Sequence, residues 1–107
     1  MSVARIAVPK EAKAGEVIEI KALFQHAMES GHRRDDAGRL IPRLIVNRFV
    51  CTYGGTEVFR ADLFPGVAAN PFLVFHTVAT ESGDLVFEWT DDGGTTHTET
   101  RRLTVTR

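Results

Sequence analysis

The sequence predicts an all-β fold, an immunoglobulin-like antiparallel β-sandwich of about seven strands. Apolar and polar residues alternate with a period of two along most of the chain, as in strands with one buried face. Gly-Gly pairs at 54–55 and 93–94 separate such runs, where glycine accepts the positive φ of a tight hairpin turn. No stretch repeats at helical spacing over a useful length.

Taken in order, residues 3–8 read as a first strand closed by Pro9. Residues 10–15 could open a helix, but Gly15 and the β-rich run after it argue for a turn. The run 16–24 alternates cleanly, with Ile18, Ile20 and Phe24 facing the core and Val17, Glu19, Lys21 and Leu23 facing out. Residues 45–53 and 56–63 form a hairpin around Gly54-Gly55, and 64–71 form an irregular crossover. Residues 72–79, 84–90 and 95–106 are the last strands, the final pair joined at Asp91-Asp-Gly-Gly94. Leu85, Phe87 and Trp89 share one face of their strand and belong to the core.

A chain of 107 residues makes one domain, residues 1–107. Its 43% hydrophobic and 25% charged content is that of an ordinary globular protein. A net charge of −1, with no run of like charge longer than two, supplies no field for nucleic acid or membrane. The N-terminus lacks a basic region followed by an apolar run, so no signal peptide is visible, and the residues alone point to the cytoplasm. Cys51, the single cysteine, cannot staple its own chain. It stands between Phe49 and Tyr53 on a core face, where a small buried hydrophobe is expected rather than a nucleophile.

Two strands carry apolar residues on both faces. In 45–53 the outer face holds Val46 and Val50 beside Arg48 and Thr52. In 72–79 it holds Phe72, Val74 and Val78, interrupted by His76. A sandwich strand ordinarily has one wet face, so a partner chain is expected over Val46, Arg48, Val50, Phe72, Val74, His76 and Val78.

The loop 26–43 is unusually long for a compact domain and holds four arginines, three acids and two histidines. Arg33, Arg34 and Arg43, with Asp35, form a candidate recognition surface, since guanidinium groups present a planar fork to oxyanions. His26 and His32, with Glu29, Asp35 and Asp36 near them, are conceivable metal ligands, but their spacing matches no known ligand motif. No cofactor motif and no catalytic constellation is present, so catalytic, cofactor and metal residues are all expected to be absent.

An ordered set of residues runs through nearly the whole chain: His26-x-Met-Glu-x-Gly-x-Arg-Arg-Asp35, Gly38, Ile41-Pro-Arg43 and Phe49-x-Cys-x-Tyr-x-Gly55. Val58-Phe-Arg-Ala-Asp-Leu63, Ala68-Ala-Asn-Pro-Phe-Leu73 and Phe87-x-Trp-Thr-Asp91 complete it. The set resembles the SoxZ family, the smaller subunit of the SoxYZ sulfur carrier of bacterial thiosulfate oxidation. The resemblance implies an immunoglobulin-like, non-catalytic subunit that forms a heterodimer with a SoxY-like carrier and meets other Sox-pathway enzymes transiently. It implies that the sulfur substrate rides on a cysteine of the partner, in a Gly-Gly-Cys-Gly-Gly arm. This chain ends Arg102-Leu-Thr-Val-Thr-Arg107 without such an arm, so Cys51 is not given the carrier role. It also implies a periplasmic location reached by co-export with the partner. Two other readings stay open: a stand-alone immunoglobulin-like binding module, and a metal-binding domain using His26 and His32.

Overall fold

The structure, a computed structural model, describes residues 4–67 and 69–107. Val3, expected to start the first strand, and Ala68 lie outside the described residues. Among the described residues eight strands form two sheets: β1 (Ala4–Ala7), β2 (Glu11–Lys13), β3 (Val17–Phe24), β4 (Val46–Tyr53), β5 (Thr56–Asp62), β6 (Phe72–Val78), β7 (Gly83–Asp91) and β8 (Thr96–Thr106). One sheet has the order β1-β3-β6, the other β2-β8-β7-β4-β5. This is the immunoglobulin-like sandwich that the alternation predicts.

The core lies between the sheets. Ile18, Ile20, Ala22 and Phe24 enter it from β3, and Leu85, Phe87 and Trp89 enter it from β7. Aromatic rings tie the layers together. Phe24 stacks on Trp89 with centroids 5.0 Å apart, and Phe59 stacks on Phe75 at 4.3 Å. Tyr53 closes one end, its hydroxyl accepting the backbone N–H groups of Thr80 and Glu81 at 3.2 Å each.

Three expectations change. Residues 10–15 are not simply a turn: Glu11–Lys13 form β2, which runs parallel to β8. The chain leaves β1 in one sheet and crosses at Pro9 and Lys10 to the edge of the other, and only Ala12 of β2 is buried. A three-residue strand is too short to show alternation.

Second, Val46 is fully buried rather than on the outer face. A β-bulge between Val46 and Arg48 sets an extra residue, Asn47, against the step from Asp91 to Thr90. The extra residue reverses the side-chain parity upstream, so Val46 joins Phe49, Cys51 and Tyr53 in the core. Third, the two expected partner-facing strands lie in different sheets, β4 in one and β6 in the other. Their outer faces point away from each other and cannot form one surface.

Candidate functional site: an outer sheet face and a projecting hairpin

The register of β1, β3 and β6 builds the outer face row by row. Val17 pairs with Val78, Glu19 with His76, Lys21 with Val74, and Leu23 with Phe72; Arg5 and Ala7 of β1 extend the last two rows. Phe72 is 56% exposed, Val74 45%, Val78 46% and Val17 63%. Among the described residues seven large hydrophobics are exposed, and four of them stand on this face. These four apolar side chains share the face with Glu19, Lys21 and His76. Polar groups interrupt the apolar patch across the two middle rows: Lys21 Nζ lies 3.5 Å from Glu19, and His76 Nε2 lies 3.6 Å from the same carboxylate. Among the described residues the outer edge of β6 carries no further strand.

The outer face of the other sheet is polar. Val50 is half-buried between Arg60 on β5 and Glu88 on β7. Arg48 is 4.0 Å from Asp62, and Arg60 Nη2 is 2.9 Å from Glu57. Arg48 and Val50 therefore sit among ion pairs, away from the apolar patch.

The long loop is a hairpin and not an open coil. Glu29 and Leu44 exchange backbone bonds of 2.8 Å in both directions, Ile41 N–H donates to Arg33 O, and Asp35 N–H donates to Arg39 O. Asp35 Oδ1 accepts the N–H groups of Ala37 and Arg39 at 2.9 Å each, an Asx turn that shapes the tip. Residues 32–40 are exposed throughout. The described residues span 62 × 21 × 19 Å with a radius of gyration of 16.3 Å, against about 13 Å for a compact domain of this length.

The base of the hairpin is held from three sides. Asp92, in the β7–β8 turn, accepts Arg43 Nε at 2.8 Å, Arg43 Nη2 at 3.1 Å, Asn47 Nδ2 at 3.0 Å and the Ile45 N–H at 3.1 Å. The Arg43 guanidinium holds the Asp92 carboxyl well below the usual carboxylate range, against a smaller opposing effect of desolvation; Asn47 and the Ile45 amide help. Asn70 Oδ1 accepts the His26 N–H at 3.0 Å, and His26 O accepts the Asn70 N–H at 2.8 Å. Met28, at φ 54°, buries its side chain and accepts the Val46 N–H on Sδ at 3.3 Å. That bond engages an amide at the bulge.

The residues expected to form a recognition surface thus take different roles. Arg43 and Asp35 are structural, one tied to Asp92 and one shaping the tip. Arg33 is paired with Glu29, whose pKa it lowers. Arg34 donates Nη1 to Gly38 O at 2.8 Å and has no carboxylate partner among the described residues. Leu40, 56% exposed, stands beside these arginines.

The histidines do not converge. His26 Nδ1 accepts the Met28 N–H at 2.9 Å while its ring stacks on Phe24, and His32 is exposed on the hairpin. His76 lies on the outer sheet face, and His97 contacts Glu99 at 3.1 Å on β8. Among the described residues no group of three His, Cys, Asp or Glu side chains could hold a metal ion. Burial pushes the Cys51 thiol up to about 12, so it is neither a ready nucleophile nor a thiolate ligand.

Comparison with known proteins decides the family. The family described as "Sulphur oxidation protein SoxZ" matches residues 5–102. The chain belongs to the SoxZ family. It is therefore a protein of the Sox sulfur-oxidation system. No curated protein matches the chain. Among solved structures, SoxY from Chlorobium limicola f thiosulfatophilum, a sulfur carrier protein, matches with TM-score 0.70 and 14% identity over 97% of this chain and 79% of that one. A superoxide reductase (neelaredoxin) from Ignicoccus hospitalis matches with TM-score 0.69 and 15% identity over 96% and 80%. The CARDB domain of a Pyrococcus furiosus protein, in complex with di-metal ions, matches with TM-score 0.57 and 12% identity over 99% and 94%. At these identities the likenesses concern the fold alone. Of these, the CARDB domain's structure holds metal ions, whereas among the described residues of the SoxZ chain the histidines are dispersed.

Proposed function

We propose that this SoxZ-family chain is the non-catalytic subunit of a heterodimeric sulfur carrier. Its SoxY-like partner docks on the outer face of the β1-β3-β6 sheet, and the partner's cysteine carries the sulfur. The observation that supports this reading is the gathering of Val17, Phe72, Val74 and Val78 on one sheet face. Covering them removes apolar surface from water at roughly 25 cal/mol per Å2, offset by the costs of association. His76, between Val74 and Val78, falls inside the same footprint, whereas Val46 is core and Arg48 and Val50 face the other way.

The hairpin is the second contact. Arg33, Arg34 and Leu40 project from the body and meet client enzymes of the pathway transiently, while the sheet face stays covered. In this reading the chain works in the periplasm, carried there with its partner.

Co-expression with a SoxY-like chain tests the assembly. A one-to-one complex by light scattering, with Phe72, Val74 and Val78 amides protected from hydrogen exchange on complex formation, is the expected result. A complex whose protection falls on β4 and β5 instead would overturn the assignment of the face.

A further inference from the structure

Where the chain crosses from β1 to β2, a groove of about 450 Å3 opens against β8. Ile6, Val8 and Pro9 form an apolar wall, and Lys10, Arg101 and Arg102 line the rest; no carboxylate lines it. Glu11 stands at its edge, next to Lys10 and in register with Thr104, and two further acids contact the arginines. Arg101 gives Nη1 to Glu99 at 3.2 Å and to Thr100 O at 2.9 Å, leaving its other donors free of hydrogen bonds among the described residues. Arg102 Nη1 is 3.6 Å from Asp84, and Lys10 is in no ion pair with any described residue. Beside the groove, the outer edge of β1 carries no strand among the described residues.

We propose that this groove binds an extended acidic segment of a partner protein. Cations lining the β8 side, facing an apolar wall, match a chain in which carboxylates alternate with apolar side chains, since strand side chains alternate in direction. A free inorganic oxyanion would engage the cations and leave Ile6, Val8 and Pro9 uncovered. The open β1 edge supplies backbone groups for such a segment, the arrangement of strand addition. The residues lining the groove are not among those of the sheet face assigned to the carrier partner, although β1 borders both.

The probe is an acetylated, amidated hexapeptide of alternating glutamate and valine, titrated into the 15N-labelled full chain at low salt. Saturable shifts of the Lys10, Arg102 and Thr104 amides are expected, weakening at least tenfold in Arg101→Gln/Arg102→Gln and also in Lys10→Gln. Lys10 makes no ion pair, so its variant reports on the groove without disturbing the β8 network. Affinity should fall steeply as salt rises from 20 to about 200 mM, because the pairs are surface-exposed. Absence of saturable shifts, equal shifts from a lysine-valine peptide, or sulfate binding as tightly as the peptide would each overturn the proposal.

Discussion

Arg43 and Asp92 lie 49 residues apart in the chain and form a two-pronged ion pair, Nε to Oδ2 at 2.8 Å and Nη2 to Oδ1 at 3.1 Å. The same carboxylate also holds the Asn47 side chain and the Ile45 amide. One side chain in the β7–β8 turn therefore fixes both the root of the projecting hairpin and the bulge that starts β4.

Asp92→Asn is expected to destabilise the chain by about 1–3 kcal/mol, the range for losing a hydrogen-bonded charge partner. The pH dependence has a definite sign. The Asp92 carboxyl is held below its unfolded value of about 3.9, so its contribution is complete above that pH and fades as pH falls below it. Glu29 and Glu99 act in the same direction, held down chiefly by Arg33 and by His97. Urea midpoints measured from pH 7 to pH 2.5 should fall on the acid side in the parent chain, with a flatter acid limb in Asp92→Asn.

Gly31→Ala strikes the same structure from the other strand of the hairpin. Gly31 sits at φ 86°, and an added Cβ would come within 2.9 Å of the Arg43 Cβ. The cost expected is about 1–3 kcal/mol. Because the clash displaces Arg43, a double-mutant cycle with Asp92→Asn should be non-additive by more than about 0.5 kcal/mol. Additive denaturation energies would show that Gly31 and Asp92 act separately.

Val74→Asp places a charge in the middle of the exposed sheet face, opposite Lys21. Binding of the SoxY-like partner should weaken at least tenfold by calorimetry, with the isolated chain's Tm changed by only a few degrees. Thr100→Asp, exposed on the outer face of the other sheet, should leave affinity within about twofold. Equal loss in both variants would argue against a localised face.

Cys51 should resist alkylation. With its thiol pushed up to about 12, roughly one in ten thousand is ionised at pH 8, and burial adds a steric barrier. Iodoacetamide at pH 8 should leave the native chain unmodified by mass spectrometry over an hour and label it fully in 6 M urea. Rapid native labelling would place the thiol outside the core.

Much of this was legible in the residues, for physical reasons that can be named. β3 alternates without interruption, and its burial follows the alternation from Val17 to Phe24. Gly54 and Gly55 both adopt positive φ, as a tight hairpin between β-rich runs requires. Parity failed at Val46 because a bulge is an insertion in pairing and leaves no mark in the polarity pattern. The hairpin within 26–43 was hidden because its order comes from Asp92 and Asn70, far along the chain, and from a methionine sulfur. The charge-rich composition of that segment shows arginines, but not that Arg43 is already committed to an internal carboxylate.

Cys51, the single thiol of this chain, is sealed between Phe49 and Tyr53 in β4. It offers no accessible thiol to trap a sulfane atom, to exchange with a mixed disulfide or to be capped by an oxidant. Under the proposed reading, in which the partner's cysteine carries the sulfur, such a chain can stay close to the cargo without competing for it.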